Sequence, residues 1–105
     1  MIMQNATRSA VAQAPAVIVF IPGLLRDRCD GESELTLSAA SVRVALEQLE
    51  RRYPSLYSCV CDETGAVRRH VNVFVNSSNA RDLDGLDTAL AEGDVITILP
   101  AVSGG

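Results

Sequence analysis

The chain has 105 residues, 48% of them apolar and 21% charged, with a formal net charge of −4. A domain of this size buries roughly 60–65% of the surface its unfolded chain exposes, which makes one modest core and leaves little room for an enclosed active site. The acidic balance argues against nucleic acid as a partner, since phosphate neutralisation needs a basic face, and no apolar run reaches the ~20 residues that cross a bilayer.

Residues 1–15 are rich in Ala, Gln, Ser and Asn and show no periodicity, so they read as a mobile extension ending at Pro15. They hold no charged region followed by an apolar run and a cleavage site, which predicts an unsorted, cytoplasmic protein. Structure is expected to begin with the β-branched and aromatic run Val17–Ile21. Pro22 and Gly23 loosen that strand, Asp30-Gly31 offers a hairpin turn, and Glu32–Ser38 alternates polar and apolar at Leu35 and Leu37.

One clear helix follows. Ser41 is its expected N-cap, and Val42, Ala45, Leu46, Leu49 and Tyr53 form a single apolar stripe at helical spacing. Arg51 and Arg52 occupy the last turn, where cations complement the helix dipole, and Pro54 is read as the stop. Ser55 to His70 reads as irregular. Val71–Asn76 alternates as a strand, residues 77–93 carry turn formers around Leu83, Leu86 and Leu90, and Gly93-Asp94 introduces a last strand, Val95–Leu99, broken by Pro100. Strands around a single helix imply an α+β layout with one mixed sheet. That order resembles the β-grasp, or ubiquitin-like, fold, with its domain at 16–100 and a flexible Gly-Gly tail at 101–105.

Few residues suggest side-chain chemistry. The cysteines are Cys29, Cys59 and Cys61, an odd count without a framework, and one histidine, His70, leaves too few partners for zinc. The thiols read as small packing groups. Alternation places Val17, Val19, Ile21, Val71, Val73, Val75, Ile96 and Ile98 toward the helix, which leaves Ile18, Phe20, Phe74, Thr97 and Leu99 on the opposite sheet face. Large apolar residues on an uncovered face mark a partner site, unless Ser55–His70 or the N-terminal extension folds over them. The carboxylates Asp82, Asp84, Asp87, Glu92 and Asp94 read as a solvated loop face, with steering of a basic partner as the alternative.

The ending Asp94-Val95-Ile96-Thr97-Ile98-Leu99-Pro100-Ala101-Val102-Ser103-Gly104-Gly105 resembles the C-terminal signature of the ThiS/MoaD sulfur-carrier family, and Val71–Asn76 resembles its central strand. Ile21-Pro22, Leu24-Leu25-Arg26, Glu50-Arg51-Arg52-Tyr53-Pro54 and the ILPAVSGG ending are most similar to the CysO-type branch. The resemblance implies that an E1-like enzyme of the MoeB/ThiF type adenylates Gly105 with ATP. A sulfur donor, a rhodanese or a cysteine desulfurase, then leaves a thiocarboxylate there. Gly104, Ser103 and Val102 would give access to the enzyme's channel, and Phe74, Phe20, Ile18 and Leu99 would bind the partner. It further implies a sulfur-accepting synthase, a processing metalloprotease, and no cofactor or metal bound to the carrier itself. A cysteine-type pathway is favoured over thiamin, molybdopterin or specialised metabolites. The alternatives are a protein modifier conjugated through Gly105 and a MoaD-like subunit of molybdopterin synthase. All nine basic residues are arginine, so a modifier of this sequence could not build lysine-linked chains on itself.

Overall fold

The computed structural model describes residues 14–100. Five strands, β1 (Ala16–Phe20), β2 (Glu34–Ser38), β3 (Val71–Val75), β4 (Ser78–Asn79) and β5 (Val95–Pro100), form one sheet in the order β2-β1-β5-β3-β4. β1 runs parallel to β5, and the β1–β2, β3–β5 and β3–β4 pairs are antiparallel. Two helices, α1 (Val42–Arg52) and α2 (Pro54–Val60), supply the apolar side chains that join the inner face of the sheet in one core.

The alternation in the strands sorts their side chains as the sequence predicts. Val17, Val19, Ile21, Val71, Val73, Val75, Ile96 and Ile98 are all buried, together with Leu35 and Leu37 of β2. α1 contributes Val42, Ala45, Leu46 and Leu49 from its stripe. Each such side chain moved out of water contributes about 1.5–3 kcal/mol. Ser41 caps α1, its hydroxyl accepting from the Val44 amide at 3.3 Å.

Three local readings are corrected. Pro54 ends α1 but also opens α2, where the missing N–H of proline is harmless in the first turn. The stretch from Ser55 to Val60 is therefore helical, with Leu56 and Val60 one turn apart and both fully buried. Between β1 and β2 the chain forms a 3₁₀ helix, Gly23–Cys29, that buries Leu25 and Cys29, so no tight hairpin exists and β2 starts at Glu34. The Asp30-Gly31 pair instead closes this helix: both residues have positive φ, 59° and 80°, and the Gly31 amide donates to the Arg26 carbonyl at 2.8 Å. Pro100 does not break β5 but is its last residue, opposite Val71. A terminal position is where a strand tolerates a residue without an N–H.

The sheet's edges are blunt. The carbonyls of Thr36 and Ser38 on the outer edge of β2 accept from the α1 side chains Arg52 (3.4 Å) and Gln48. β4, at the other edge, has only two residues. Asn76 leaves β3 at φ 55°, a left-handed conformation that Asn adopts readily. Its amide group donates to Asp94 (3.1 Å) and accepts from the Val95 N–H (3.0 Å), which fixes the start of β5.

Leu49→Ala should lower unfolding stability by about 2–5 kcal/mol through the cavity it leaves, and Ser41→Ala by about 0.5–2 kcal/mol through the lost cap; urea midpoints at constant slope report both. Two half-buried carboxylates link stability to pH. Asp94 is held below the usual carboxylate range by the Ala91 amide and the Asn76 side chain, and Asp62 by the Thr64 hydroxyl and amide. Their contribution is complete above the unfolded value of about 3.9 and is lost as pH falls through the lower folded values. The double variant Asp62→Ala/Asp94→Ala should be less stable at neutral pH and lose less stability on acidification below about pH 4, as read by denaturation at a series of pH values.

Candidate functional site

Val102, Ser103, Gly104 and Gly105 lie outside the described residues, as does the extension up to residue 13. The structure does describe the root of the tail. β5 lies between β1 and β3, with Phe20 opposite Thr97 on one flank and Val71 opposite Pro100 on the other. The chain thus leaves the sheet from its middle, paired with β1 as far as Thr97 and with β3 to the last described residue.

The outer face of the sheet carries the four residues expected to bind a partner. Glu34, Phe20, Thr97, Phe74 and Asn79 form one row across all five strands. Ile18 lies beside Val95 in the next row, and Leu99 lies opposite Asn72 near the tail. Phe20 is 40% and Leu99 45% exposed, large values for apolar side chains, while Ile18, Phe74 and Thr97 are half-buried. The Ser55–His70 segment does not cover this face. Leu56, Val60 and Cys61 tie it to the core on the helix side, and Cys61 bridges to Val67 there.

No second chemistry is assembled among the described residues. Cys29 and Cys61 are buried and Cys59 is half-buried; all three are free thiols. Burial pushes the Cys29 and Cys61 thiols up, so they stay protonated at neutral pH and read as packing groups rather than nucleophiles. Among the described residues no group of three or more His, Cys, Asp or Glu is placed to hold a metal, and no helix is long and apolar enough to cross a membrane. A shallow cleft of about 200 Å³ beside β3 is lined mostly by apolar residues such as Val42, Val67 and Leu86. Its polar members, Asn79 and Arg81, include no nucleophile or base.

The acidic group is largely spent on local structure. Asp87 pairs with Arg43 at 3.0 Å, Glu92 accepts from the Ala16 amide at 2.9 Å, and Asp94 holds the Asn76 turn. The sequence reading missed Arg81, whose guanidinium donates to Asn72 Oδ1 (2.9 Å) and to the Arg68 carbonyl (3.0 Å) at the edge of β3. Nothing in its local pattern signals this, because its partners lie 9 and 13 residues away.

Comparison with known proteins follows the same lines. The ThiS family model matches residues 19–105. The sulfur carrier protein CysO of Mycobacterium tuberculosis is 37% identical over 91 residues, covering 85% of this chain and 98% of that one. Its crystal structure superposes with a TM-score of 0.75 at 36% identity, over 82% and 99% of the two chains. A structure of the Amycolatopsis orientalis BexX/CysO complex contains a chain that matches with a TM-score of 0.78 at 35% identity, over 85% of this chain and 99% of that one. The small archaeal modifier protein 1 of Methanosarcina acetivorans matches with a TM-score of 0.74 at 36% identity, over 87% and 97%. The sheet order, the open face and these matches agree: the chain is a ubiquitin-like β-grasp protein and belongs to the ThiS family.

Proposed function

We propose that this chain is a sulfur carrier that acts through the carboxylate of Gly105 and supplies no catalytic side chain. The observation that carries the reading is the match over 98% of a curated sulfur carrier, extending through the Gly-Gly ending.

The chemistry follows from the carboxylate. Its pKa of ~3.3–3.7 makes it an anion at neutral pH, and a carboxylate anion is a poor electrophile. An E1-like adenylating enzyme converts it to an acyl-adenylate, with ATP as the source of AMP and pyrophosphate as the leaving group. The terminal sulfur of a persulfide on a rhodanese or a desulfurase then attacks the carbonyl carbon and displaces AMP, and a second thiol cleaves the resulting acyl disulfide, leaving a thiocarboxylate on Gly105 and a disulfide on the donor side. Five extended residues beyond Pro100 reach roughly 16 Å, and Gly104 and Gly105 carry no Cβ to clash in a narrow channel. The similarity to CysO favours a cysteine-type pathway, with a sulfur-accepting synthase and a processing metalloprotease downstream. The apolar face around Phe20, Phe74, Ile18 and Leu99 is the docking surface on this reading. A second reading, conjugation to other proteins through Gly105, is favoured by the likeness to small archaeal modifier proteins.

Intact mass spectrometry of the chain from its own cells separates the two. A mass gain at Gly105 that matches exchange of one oxygen for sulfur is expected, and removal of Gly105 should abolish it. Gly105 isopeptides on other proteins, without that mass gain, would favour the modifier. Replacing Phe20 and Phe74 by Ser should weaken binding to the adenylating enzyme at least tenfold, about 1.4 kcal/mol, with the circular-dichroism melting curve retained; unchanged affinity would remove the docking assignment.

A further inference from the structure

We propose that Arg81 is a pre-positioned anion reader at the root of the tail, engaging a carboxylate side chain of the enzyme that docks on the open face and receives the tail. The proposal rests on the carrier reading above and adds to it a specific polar contact.

A guanidinium offers five N–H donors in a rigid fork. Arg81 commits one Nη1 bond to Asn72 Oδ1 (2.9 Å) and one Nη2 bond to the Arg68 carbonyl (3.0 Å). Asn72 is itself held, accepting on the same oxygen from Asn79 Nδ2 at 3.1 Å. Both acceptors of Arg81 are neutral. Among the described residues the only ion pair within 4.0 Å is Arg43–Asp87, so the charge of Arg81 is not matched there, although Asp82 is its neighbour in sequence. The residue is exposed and keeps Nε–H and further Nη donors for another group.

An arginine on a protein surface ordinarily loses side-chain entropy when it is fixed in a contact. Here two neutral bonds have already fixed the fork. A partner that meets it gains a charge-assisted hydrogen bond without that ordering cost. Its position indicates who the partner is. Asn72, which anchors the fork, lies opposite Leu99, one residue from the end of β5. Arg69, also exposed, lies two residues before Val71 at the same end of the sheet and adds a second cation to this rim of an acidic chain. The terminal carboxylate, and any nucleotide joined to it, belongs to Gly105, five residues further along the chain than Pro100. What meets Arg81 is therefore the protein surface around the tail's entry point, and the complementary group on a protein is an Asp or Glu side chain.

Carrier-dependent ATP–pyrophosphate exchange in an extract of the producing cells tests this with the full chain. Arg81→Gln should raise the carrier concentration for half-maximal exchange about tenfold, as expected for loss of a charge-assisted bond, with the maximal rate retained. Arg81→Glu should raise it further, and Arg81→Lys, which keeps the charge but not the fork, should fall between. Exchange driven by the native chain should weaken with added salt, and that dependence should be reduced in Arg81→Gln, a difference that a merely structural role would not produce. If Arg81→Gln melts early, Arg81→Lys and the salt series on the native chain carry the test. Native-like exchange by Arg81→Gln, or an unaltered salt dependence, overturns the assignment alone. No exchange with the native chain overturns the carrier reading and this proposal with it.

Discussion

β5 is the last described strand, yet it lies in the middle of the sheet, hydrogen-bonded to parallel β1 on one side and antiparallel β3 on the other. Most other features depend on this placement. A central strand must satisfy its backbone on both flanks and its side chains on both faces. Ile96 and Ile98 therefore enter the core, while Val95, Thr97 and Leu99 fall on the outer face with Ile18, Phe20 and Phe74. One six-residue segment thus anchors the fold, contributes to the open outer face and carries the chain toward its end. Asn76 and Asp94 secure the opposite end of that segment, so its register is set before the tail begins.

The two sheet faces divide the work. The inner one is a conventional aliphatic core in which the helices, the 3₁₀ helix and even two thiols serve as packing. The outer one is a half-open apolar surface rimmed by Glu34, Thr36, Asn72 and Asn79, with no helix of the described residues laid across it. A protein of this size that leaves large apolar groups accessible loses hydrophobic stabilisation it could have had. Such an arrangement makes physical sense when another surface completes the burial.

The features read correctly from sequence are those with a period. Alternation in β1, β3 and β5 and the stripe of α1 each place many residues with one rule, and Ser41 announces its helix by type and position. The errors fall where that rule is silent. Pro54 is legitimately both a stop and a start, so the seven residues of α2 were hidden behind a breaker. The Gly23–Cys29 helix buries only Leu25 and Cys29, too few for a pattern. The fork of Arg81 depends on a side chain in β3 and a carbonyl before it, a juxtaposition made only by folding. The Gly-Gly ending was legible through family resemblance, not through physics, because two glycines carry no pattern of their own.

The closed edges have a bearing on residence time. A partner that added a strand to this sheet would gain a ladder of backbone bonds indifferent to side-chain identity, and would be slow to let go. With Thr36 and Ser38 occupied by Arg52 and Gln48, and β4 cut to two residues, that mode is closed at both sides. A partner that used side chains on a face instead would lower its off-rate by a separable increment with each contact. A small protein handed from one enzyme to the next is served by that limit: it can be recognised by several surfaces in turn and captured by none.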